Sequence, residues 1–383
     1  MPWRVTMQER EREKFVRDFE TGCWSMTELC LRYGVSRKTG YKYWKRYEEE
    51  GLGGLADRRR ARKTFAHRLT PEVVAEVLVV KKDFPHWGAR KLRDHLFNLD
   101  PERKLPAEST IHDLLVRHGL VNSHARRRRH RHPGKPIYVA DKPNAVWTVD
   151  FKGQFRTQDH IYCYPLTIAD LYSRFFIACQ ALLSTKTVEA WPVFERRFRE
   201  FGLPDAILSD NGVPFCSASA VDGLCQFSAW LTMLGIKHLR TVPGNPQQNG
   251  VHERRHRTLK EETTVPPSVH LEAQQKRFNA WRLEYNEVRP HEALDGKTPS
   301  SLYAPSLRPY PKRFEAPSYP DHFLKRRVSE AGTFRFKGAN VFITQAISGH
   351  DVGLEEVENG IWSIYFYDRL LTRYNERIEF LEK

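Results

Sequence analysis

Paired cysteines and long apolar runs are both missing from this 383-residue sequence. Its six cysteines include no C-x-x-C pair, and no cysteine–histidine cluster has zinc-finger spacing. We therefore predict free thiols, as in a cytoplasmic protein. No apolar stretch approaches the ~18 residues that cross a bilayer, and the N-terminus is polar and charged. The sequence thus predicts neither a membrane span nor a signal peptide.

Acidic residues are scarce in the N-terminal part of the chain. Residues 1–140 hold 31 of the 62 Lys and Arg residues but only 18 of the 47 Asp and Glu residues. The net charge of +15 is therefore concentrated there. A basic block of this kind suits a polyanion, and nucleic acid is the common one. A soluble basic domain without a nucleic-acid partner is the alternative.

Residues 1–65 have the pattern of a helix-turn-helix DNA-binding domain. We predict a helix over 7–20, then a short helix capped by Ser25 or Thr27, a tight turn at 34–36, and a second helix over 37–50. Cations that meet phosphates and aromatic groups that meet bases are typical of a recognition helix. The candidate DNA contacts on the last helix are Arg37, Lys38, Lys42, Lys45 and Arg46, with Tyr41 and Trp44 among them. A helical hairpin with a solvated basic face is the alternative.

Two basic segments flank a second helical region. Residues 66–123 are predicted to form a second helix-turn-helix-like domain, whose first helix begins at Pro71, a favoured first-turn residue. A basic linker occupies 124–142. The candidate DNA contacts in the two basic segments are Arg58, Arg59, Arg60, Arg126, Arg127, Arg128 and Arg129.

The pattern changes to alternating strands and helices over residues 143–305. The predicted strands are 146–151, 161–169, 174–181, 206–209 and 237–241. The predicted helices are 187–201, 226–235, 250–263 and 272–287. Three strands followed by alternating helix and strand indicate an α/β domain with a mixed sheet. Residues 320–383 contain short strands punctuated by glycine, which predicts a small β-barrel or a curled sheet, and we assign the barrel.

Three carboxylates in the α/β region are candidate metal ligands. Asp150 ends an apolar strand, Asp210 directly follows another, and Glu253 lies in the first turn of a helix. Such positions can converge on one edge of a sheet, where Mg2+ or Mn2+ would find oxygen ligands. A single Asp at a strand end is more often a turn former. By composition alone, Glu261 and Glu262 are rivals for the third position.

The motifs around these carboxylates resemble the retroviral-integrase-like catalytic core of DDE transposases, most closely the insertion sequence 481 family. The motifs are WTVDFKGQF around Asp150, LSDNGVPF around Asp210 and PGNPQQNGVHERRHRTLKEE around Glu253. A later segment, RPHEALDGKTPSSLY, is also similar to the family. The first two carboxylates are 60 residues apart, as the family expects, and the last two are 43 apart, which is longer than usual. We assign the extra residues to a loop, SASAVDGLC.

The resemblance implies a ribonuclease-H-like core with a five-stranded mixed sheet, in which the three carboxylates hold two Mg2+ or Mn2+ ions. It implies a transposase that binds terminal inverted repeats, cleaves DNA ends and transfers them into target DNA. The expected partners are double-stranded DNA and further copies of the chain on that DNA.

The helix that carries Glu253 has few apolar residues, so it is poorly built to bury a broad face. Arg257 and Lys260 lie four and seven residues after Glu253, which places all three on one face. In related integrases, basic residues at these offsets touch the DNA end. A surface ion pair of Glu253 with Arg257, worth only ~0.5 kcal/mol, is the alternative. His256 is interpreted as structural or DNA-contacting.

Three other functions remain open at this point. A DNA-binding regulator derived from an inactive transposase would keep the helix-turn-helix region but have no use for the carboxylates. A ribonuclease-H-class nuclease acting on RNA–DNA hybrids would use the carboxylates but not the helix-turn-helix regions. A structural, basic chromosome-binding protein would bind DNA without metal and without cleavage.

Overall fold

The computed structural model describes residues 8–57, 69–121, 138–151, 153–216, 223–241, 250–377 and 380–382, with only the backbone for 250–254 and 380–382. The chain divides into two compact units, one that ends at Leu69 and one that begins at Thr70. The predicted stretches Arg58–Arg60 and Arg126–Arg129 lie outside the described residues. The finer domain boundaries stay predictions.

The first unit is a three-helix domain with α1 (Gln8–Glu20), α2 (Met26–Arg32) and α3 (Arg37–Glu50). Ser25 and Glu28 form a reciprocal capping box at the start of α2, and the Ser36 side chain caps α3. At Gly40 a Cβ atom would lie 2.6 Å from Cys30 Sγ, so glycine is needed for α3 to approach α2 this closely. The predicted helix-turn-helix is therefore present.

A second group of three helices opens the larger unit: α4 (Pro71–Asp83), α5 (Ala89–Leu99) and α6 (Glu108–Arg117). We call it the second helical module. Its core is apolar, and α5 contributes Ala89, Leu92 and Leu96 to it. A different, polar stripe of α5 contacts the segment 288–297: Arg90 pairs with Glu292 at 2.7 Å, and Asn98 Nδ2 donates to the Gly296 carbonyl at 2.9 Å.

The central sheet contains six strands. They are β1 (Val146–Phe151), β2 (Phe155–Arg156), β3 (Tyr162–Asp170), β4 (Phe176–Leu182), β5 (Ala206–Ser209) and β6 (Lys237–Arg240). Strand β3 pairs antiparallel with β1 on one side and β4 on the other, while β1, β5 and β6 run parallel to one another. The five predicted strands thus form the expected mixed sheet in the order β4-β3-β1-β5-β6. The two-residue β2, also paired to β3, was not predicted.

Helices cover both faces of this sheet. They are α7 (Thr187–Phe201), α8 (Gln226–Met233), α9 (Gly250–Thr263) and α10 (Leu271–Leu283), and a π turn over Glu284–Val288 extends the last. Aromatic residues of α7 and α8 pack with Trp147 and Val149 of β1 in one core. Residues of α9 and α10 form the other core, against the opposite faces of β3 and β4. The alternation of β-strand side chains produces these two cores.

The C-terminal region differs from the small barrel that the sequence predicted. Its strands are β7 (Leu324–Arg327), β8 (Thr333–Phe336), β9 (Ala339–Phe342), β10 (Asp351–Glu358), β11 (Ile361–Phe366), β12 (Arg369–Asn375) and β13 (Phe380–Glu382). They form a five-stranded antiparallel sheet, β13-β12-β11-β10-β7, and a separate β8–β9 hairpin. Among the described residues no pairing closes either sheet, so a closed barrel is not seen. Both sheets share a core with α8 residues such as Ala229.

Candidate active site

Asp150 and Asp210 lie side by side at the same end of two neighbouring parallel strands. Thr148 of β1 is in register with Leu208 of β5. Two residues further along each strand, that register places Asp150 opposite Asp210. Neighbouring strands are about 4.8 Å apart, and residues in register point to the same face. The fold therefore brings together two of the three predicted carboxylates, although they are 60 residues apart in sequence.

The ionised form of Asp150 is disfavoured at this position. Its side chain is only 18% exposed. Burial raises the pKa of Asp150 from 3.8 to about 7, and the negative charge of Asp210 adds to the rise. Like-charged groups held together out of water are the usual cause of such a shift. A carboxyl group with a strongly raised pKa beside a second carboxylate is frequent at functional sites.

A tight turn after β5 holds Asp210 in place. Asp210 Oδ1 accepts a hydrogen bond from the Gly212 backbone N–H at 3.1 Å. A Cβ atom on Gly212 would lie 3.0 Å from Asp210 Oδ2, so the turn leaves little room for a side chain there. Asn211 closes the turn through Nδ2, which donates to the Thr241 carbonyl at 2.7 Å. The Asp-Asn-Gly sequence therefore aims the Asp210 carboxylate and limits its rotation.

Helix α9 passes over the end of β1 and carries Glu253 in its first turn. The Glu253 side chain lies outside the described residues, so its role stays a prediction. His256, three residues later and on the same helical face, has Nδ1 3.7 Å from Asp150 Oδ2. The position of His256 therefore brings the first turns of α9 to the Asp150 end of the sheet.

Sequence reasoning missed how α9 is anchored, because the helix buries a narrow and partly polar face. Arg255, Leu259 and Thr263 are all at most 5% exposed. Arg255 donates to Thr148 Oγ1 at 3.1 Å and to the Asp170 carbonyl at 3.3 Å. Burial lowers the pKa of Arg255 to about 10. The four-residue spacing of these positions was visible in the sequence, but an arginine in the series does not suggest a buried face.

The two rival carboxylates are placed away from the site. Glu262 accepts hydrogen bonds from the buried Arg289 and, at 2.7 Å, from Trp281 Nε1. Glu284 also pairs with Arg289, at 3.0 Å. Glu261 is exposed, and it is five residues from His256, which turns it about 140° away from the face that meets Asp150. Neither rival is in a position to share a metal ion with Asp150.

Lys91, a cation of the second helical module, lies close to Glu262, Glu284 and Arg289. The pKa of Lys91, on α5, is lowered mainly by burial, then by the charge of Arg289, while Glu262 and Glu284 oppose the shift. Two cations and two anions therefore meet at the C-terminal end of α9. We call Lys91, Glu262, Glu284 and Arg289 the four-charge cluster.

The predicted DNA contacts divide into described and undescribed residues. On α3, Arg37, Lys38, Lys42 and Lys45 are exposed and Arg46 is half-buried. Trp44 is half-buried, and its ring packs edge-on against Phe19 with the ring centroids 4.7 Å apart. On α9, Arg257 and Lys260 are exposed.

No group of three or more His, Cys, Asp or Glu side chains is arranged to hold a metal ion among the side chains that the structure describes. That set includes Asp150 and Asp210 but not Glu253. The donor chemistry nevertheless fits a divalent cation, because two crowded carboxylates with one raised pKa are what a hard cation would neutralise. None of the described helices is long and apolar enough to cross a bilayer.

Comparison with known protein families matches both the central sheet region and the N-terminal helices. Residues 140–246 and 234–299 match two models described as integrase core domains. Residues 11–63 match a helix-turn-helix domain, and residues 39–115 match a homeodomain-like domain. The chain therefore carries an integrase core domain behind helix-turn-helix domains.

Insertion-element proteins are among the relatives of this chain. The chain is 25% identical over 266 residues to an insertion element IS476 protein of Xanthomonas euvesicatoria. That alignment covers 67% of this chain and 71% of the IS476 protein. The chain is also 25% identical over 238 residues to an insertion element IS407 protein of Burkholderia multivorans, covering 56% and 80%. The predicted relationship to insertion-element proteins with an integrase-like core is confirmed. The finer assignment to the insertion sequence 481 family stays a prediction.

One similar solved structure is the catalytic core domain of HTLV-2 integrase in complex with magnesium. It is 19% identical, with a TM-score of 0.34, and the match covers 43% of this chain and 99% of that domain. The strand order of the central sheet, and not this match, defines the fold of the core.

Proposed function

We propose that this protein is a transposase that binds the terminal inverted repeats of an insertion sequence, cleaves the DNA ends and transfers them into target DNA. The proposal rests on one observation: Asp150 and Asp210 lie next to each other at the same end of the parallel strands β1 and β5. The integrase core domain and the insertion-element relatives support the same reaction class. This function accounts for both the carboxylate pair and the basic N-terminal domains.

Asp150, Asp210 and Glu253 are the residues that would hold two Mg2+ or Mn2+ ions. Asp150 and Asp210 fit this role because the fold crowds their carboxylates, and a divalent cation would relieve that repulsion. When bound at such a site, a pair of ions supplies an activated attacking oxygen and stabilises the leaving oxygen of a phosphodiester. The magnesium in the HTLV-2 integrase core structure is consistent with this choice of metal.

The remaining work falls to the chain's own residues. The exposed cations Arg257 and Lys260, one and two turns beyond Glu253, would bind the phosphates of the DNA end and align the scissile bond. Water attacks first and frees a 3′-hydroxyl, which then attacks the target strand. Since the three carboxylates supply no nucleophile, no covalent protein–DNA intermediate is formed.

DNA recognition is assigned to the N-terminal domains. The exposed basic residues of α3 would enter the groove and contact phosphates of a terminal repeat. The second helical module and the two basic segments would extend that contact along double-stranded DNA. Because two element ends must be processed together, we propose a homo-oligomer assembled on DNA. The C-terminal sheets would hold DNA or another subunit.

Cleavage and strand transfer on a labelled end of the flanking element test the proposal, with Mg2+ or Mn2+ present. Wild type is compared with Asp150→Asn and with a matched control, Asp205→Asn. Asp205 is an exposed carboxylate at the opposite end of β5, paired with Lys142 at 3.1 Å. We expect nicked and joined products from wild type and from the control, and a loss of several orders of magnitude in Asp150→Asn.

Other outcomes point elsewhere. Equal activity of wild type and Asp150→Asn would contradict the carboxylate site. Tight DNA binding without cleavage by any of the three proteins would favour a regulator, and cleavage confined to RNA–DNA hybrid would favour a ribonuclease-H-class nuclease.

A further inference from the structure

His256 bridges two strands at the end of β1. Its Nε2 lies 2.8 Å from Thr167 Oγ1 on β3. The Thr167 hydroxyl in turn donates to the Asp150 backbone carbonyl at 3.0 Å. A hydroxyl has only one proton to donate, so the hydrogen between Nε2 and Oγ1 must come from the imidazole. His256 therefore donates from Nε2 to Thr167 and presents Nδ1 to the Asp150 carboxylate, 3.7 Å away.

The other carboxylate-bearing strand has the same arrangement. The Ser209 hydroxyl donates to the Asp210 backbone carbonyl at 2.9 Å. Nε2 of His238, on β6, lies 2.9 Å from Ser209 Oγ. Asp150 and Asp210 thus each have a backbone carbonyl that accepts a hydrogen bond from a hydroxyl, and each hydroxyl is in turn bound by a histidine. Random packing would not be expected to repeat this chain of contacts at both strand ends.

We propose that His256 is a positioning residue of the metal site, which fixes the Asp150 backbone through the Thr167 hydroxyl and ties the first turns of α9, where Glu253 lies, to the end of β1. This inference rests on the proposed function, because only a metal site needs Asp150 and Glu253 at a fixed separation. Outer partners of metal ligands typically contribute 10–100-fold to metal affinity or activity. His256 is the described side chain of α9 that contacts both the Asp150 carboxylate and β3.

Helix α9 does not depend on His256 for its attachment to the core. Arg255 bonds to Thr148 and to the Asp170 carbonyl, and Leu259 is fully buried. Variants at position 256 are therefore expected to fold, so that their effects report on the site.

Mn2+ binding to the full-length protein, measured by titration calorimetry without DNA, is the first test. We expect no binding at this site in Asp150→Asn and 10–100-fold weaker binding in His256→Ala. His256→Gln should return to within a few-fold of wild type, because its terminal amide can donate to Thr167 from near the Nε2 position. His256→Asn is too short for that bond and should resemble His256→Ala. His160→Asn, at an exposed turn with a φ of 63°, is the matched control.

Single-turnover cleavage of the labelled end is the second readout. His256→Ala should lower the rate at saturating DNA 10–100-fold while leaving the DNA concentration for half-saturation unchanged. Thr167→Val should cause a similar loss, and combining it with His256→Ala should add little, because the two side chains act through one bond.

The outcomes separate the two claims. Equal Mn2+ affinity of wild type and Asp150→Asn would overturn the proposed metal site itself. Loss of binding in Asp150→Asn, with His256→Ala equal to wild type in affinity and rate, would overturn the positioning role and leave the site standing. Equal losses in His256→Ala and His256→Gln would also overturn it, since donation from Nε2 would then have no part.

Discussion

Replacing Asp150 by Asn should stabilise the metal-free protein at neutral and alkaline pH. In the folded chain, burial and then the charge of Asp210 raise the pKa of Asp150 from 3.8 to about 7. Between these two values the folded state keeps a proton that the unfolded state has released. Folding is therefore progressively disfavoured as the pH rises through this window, and the full cost is present above pH 7. Asparagine at position 150 has no charge to bury and avoids that cost.

The size of the effect follows from the same shift. The rise from 3.8 to about 7 sets an upper limit of about 4 kcal/mol. Because the side chain retains 18% exposure, water relieves part of this, and we expect roughly 2–4 kcal/mol at pH 8. For a cooperative unit of about 150–250 residues that corresponds to a rise in Tm of at least about 4 °C. At pH 5 the gain should be less than half as large.

Thermal unfolding in EDTA between pH 5 and pH 8.5 measures this, with Asp205→Asn as the control of equal charge change. The gap between Asp150→Asn and wild type should widen up to about pH 7 and then stay constant. Added Mn2+ should raise the Tm of wild type and control but not of Asp150→Asn. A variant no more stable than wild type at pH 8, or a gap independent of pH, would refute the reasoning.

Three further predictions concern the turn, the buried pair and the recognition helix. Gly212→Ala places a methyl group 3.0 Å from Asp210 Oδ2, so we expect about tenfold weaker Mn2+ binding in calorimetry with a nearly unchanged Tm; unaltered binding would contradict the close approach. Glu262→Gln leaves the buried Arg289 short of a partner and should lower the free energy of unfolding in urea by about 3 kcal/mol, whereas a change below ~1 kcal/mol would argue against the pair. Lys38→Ala should reduce the slope of log affinity against log salt for a terminal repeat by about 1, and an unchanged slope would remove Lys38 from the interface.

The positions of Asp150 and Asp210 were predictable to the extent that they depend on local sequence. Apolar runs predict β1 and β5, and an Asp that ends such a run is placed at a sheet edge whatever the rest of the fold does. The convergence of Asp150 and Asp210 additionally needs β1 and β5 to be parallel neighbours. Sequence patterns indicate that pairing only indirectly, through the helix-containing connection between the strands.

What the sequence could not predict depends on partners far along the chain. Trp44 was grouped with the DNA-reading residues because its helix is basic, whereas its half-buried ring also packs against Phe19 of another helix. By composition alone Glu262 was a rival of Glu253, and composition does not reveal that Arg289, 27 residues away, binds Glu262. The buried face of α9 escaped notice because an arginine occupies it, and hydrophobic periodicity does not register a buried cation. Barrel closure likewise depends on edge pairing that alternating strands do not specify.

The four-charge cluster makes electroneutrality a shared property of two parts of the chain. Glu262 and Glu284 are balanced only when both Arg289 and Lys91 are present, and Lys91 belongs to the second helical module. If that module left the core, α9 would keep a surplus negative charge in a half-buried place at its C-terminal end. The charges at the C-terminal end of α9, the helix whose first turn carries Glu253, are therefore balanced only while the second helical module is packed against the core. If bound DNA displaced that module, the C-terminal end of α9 would therefore carry an unbalanced negative charge.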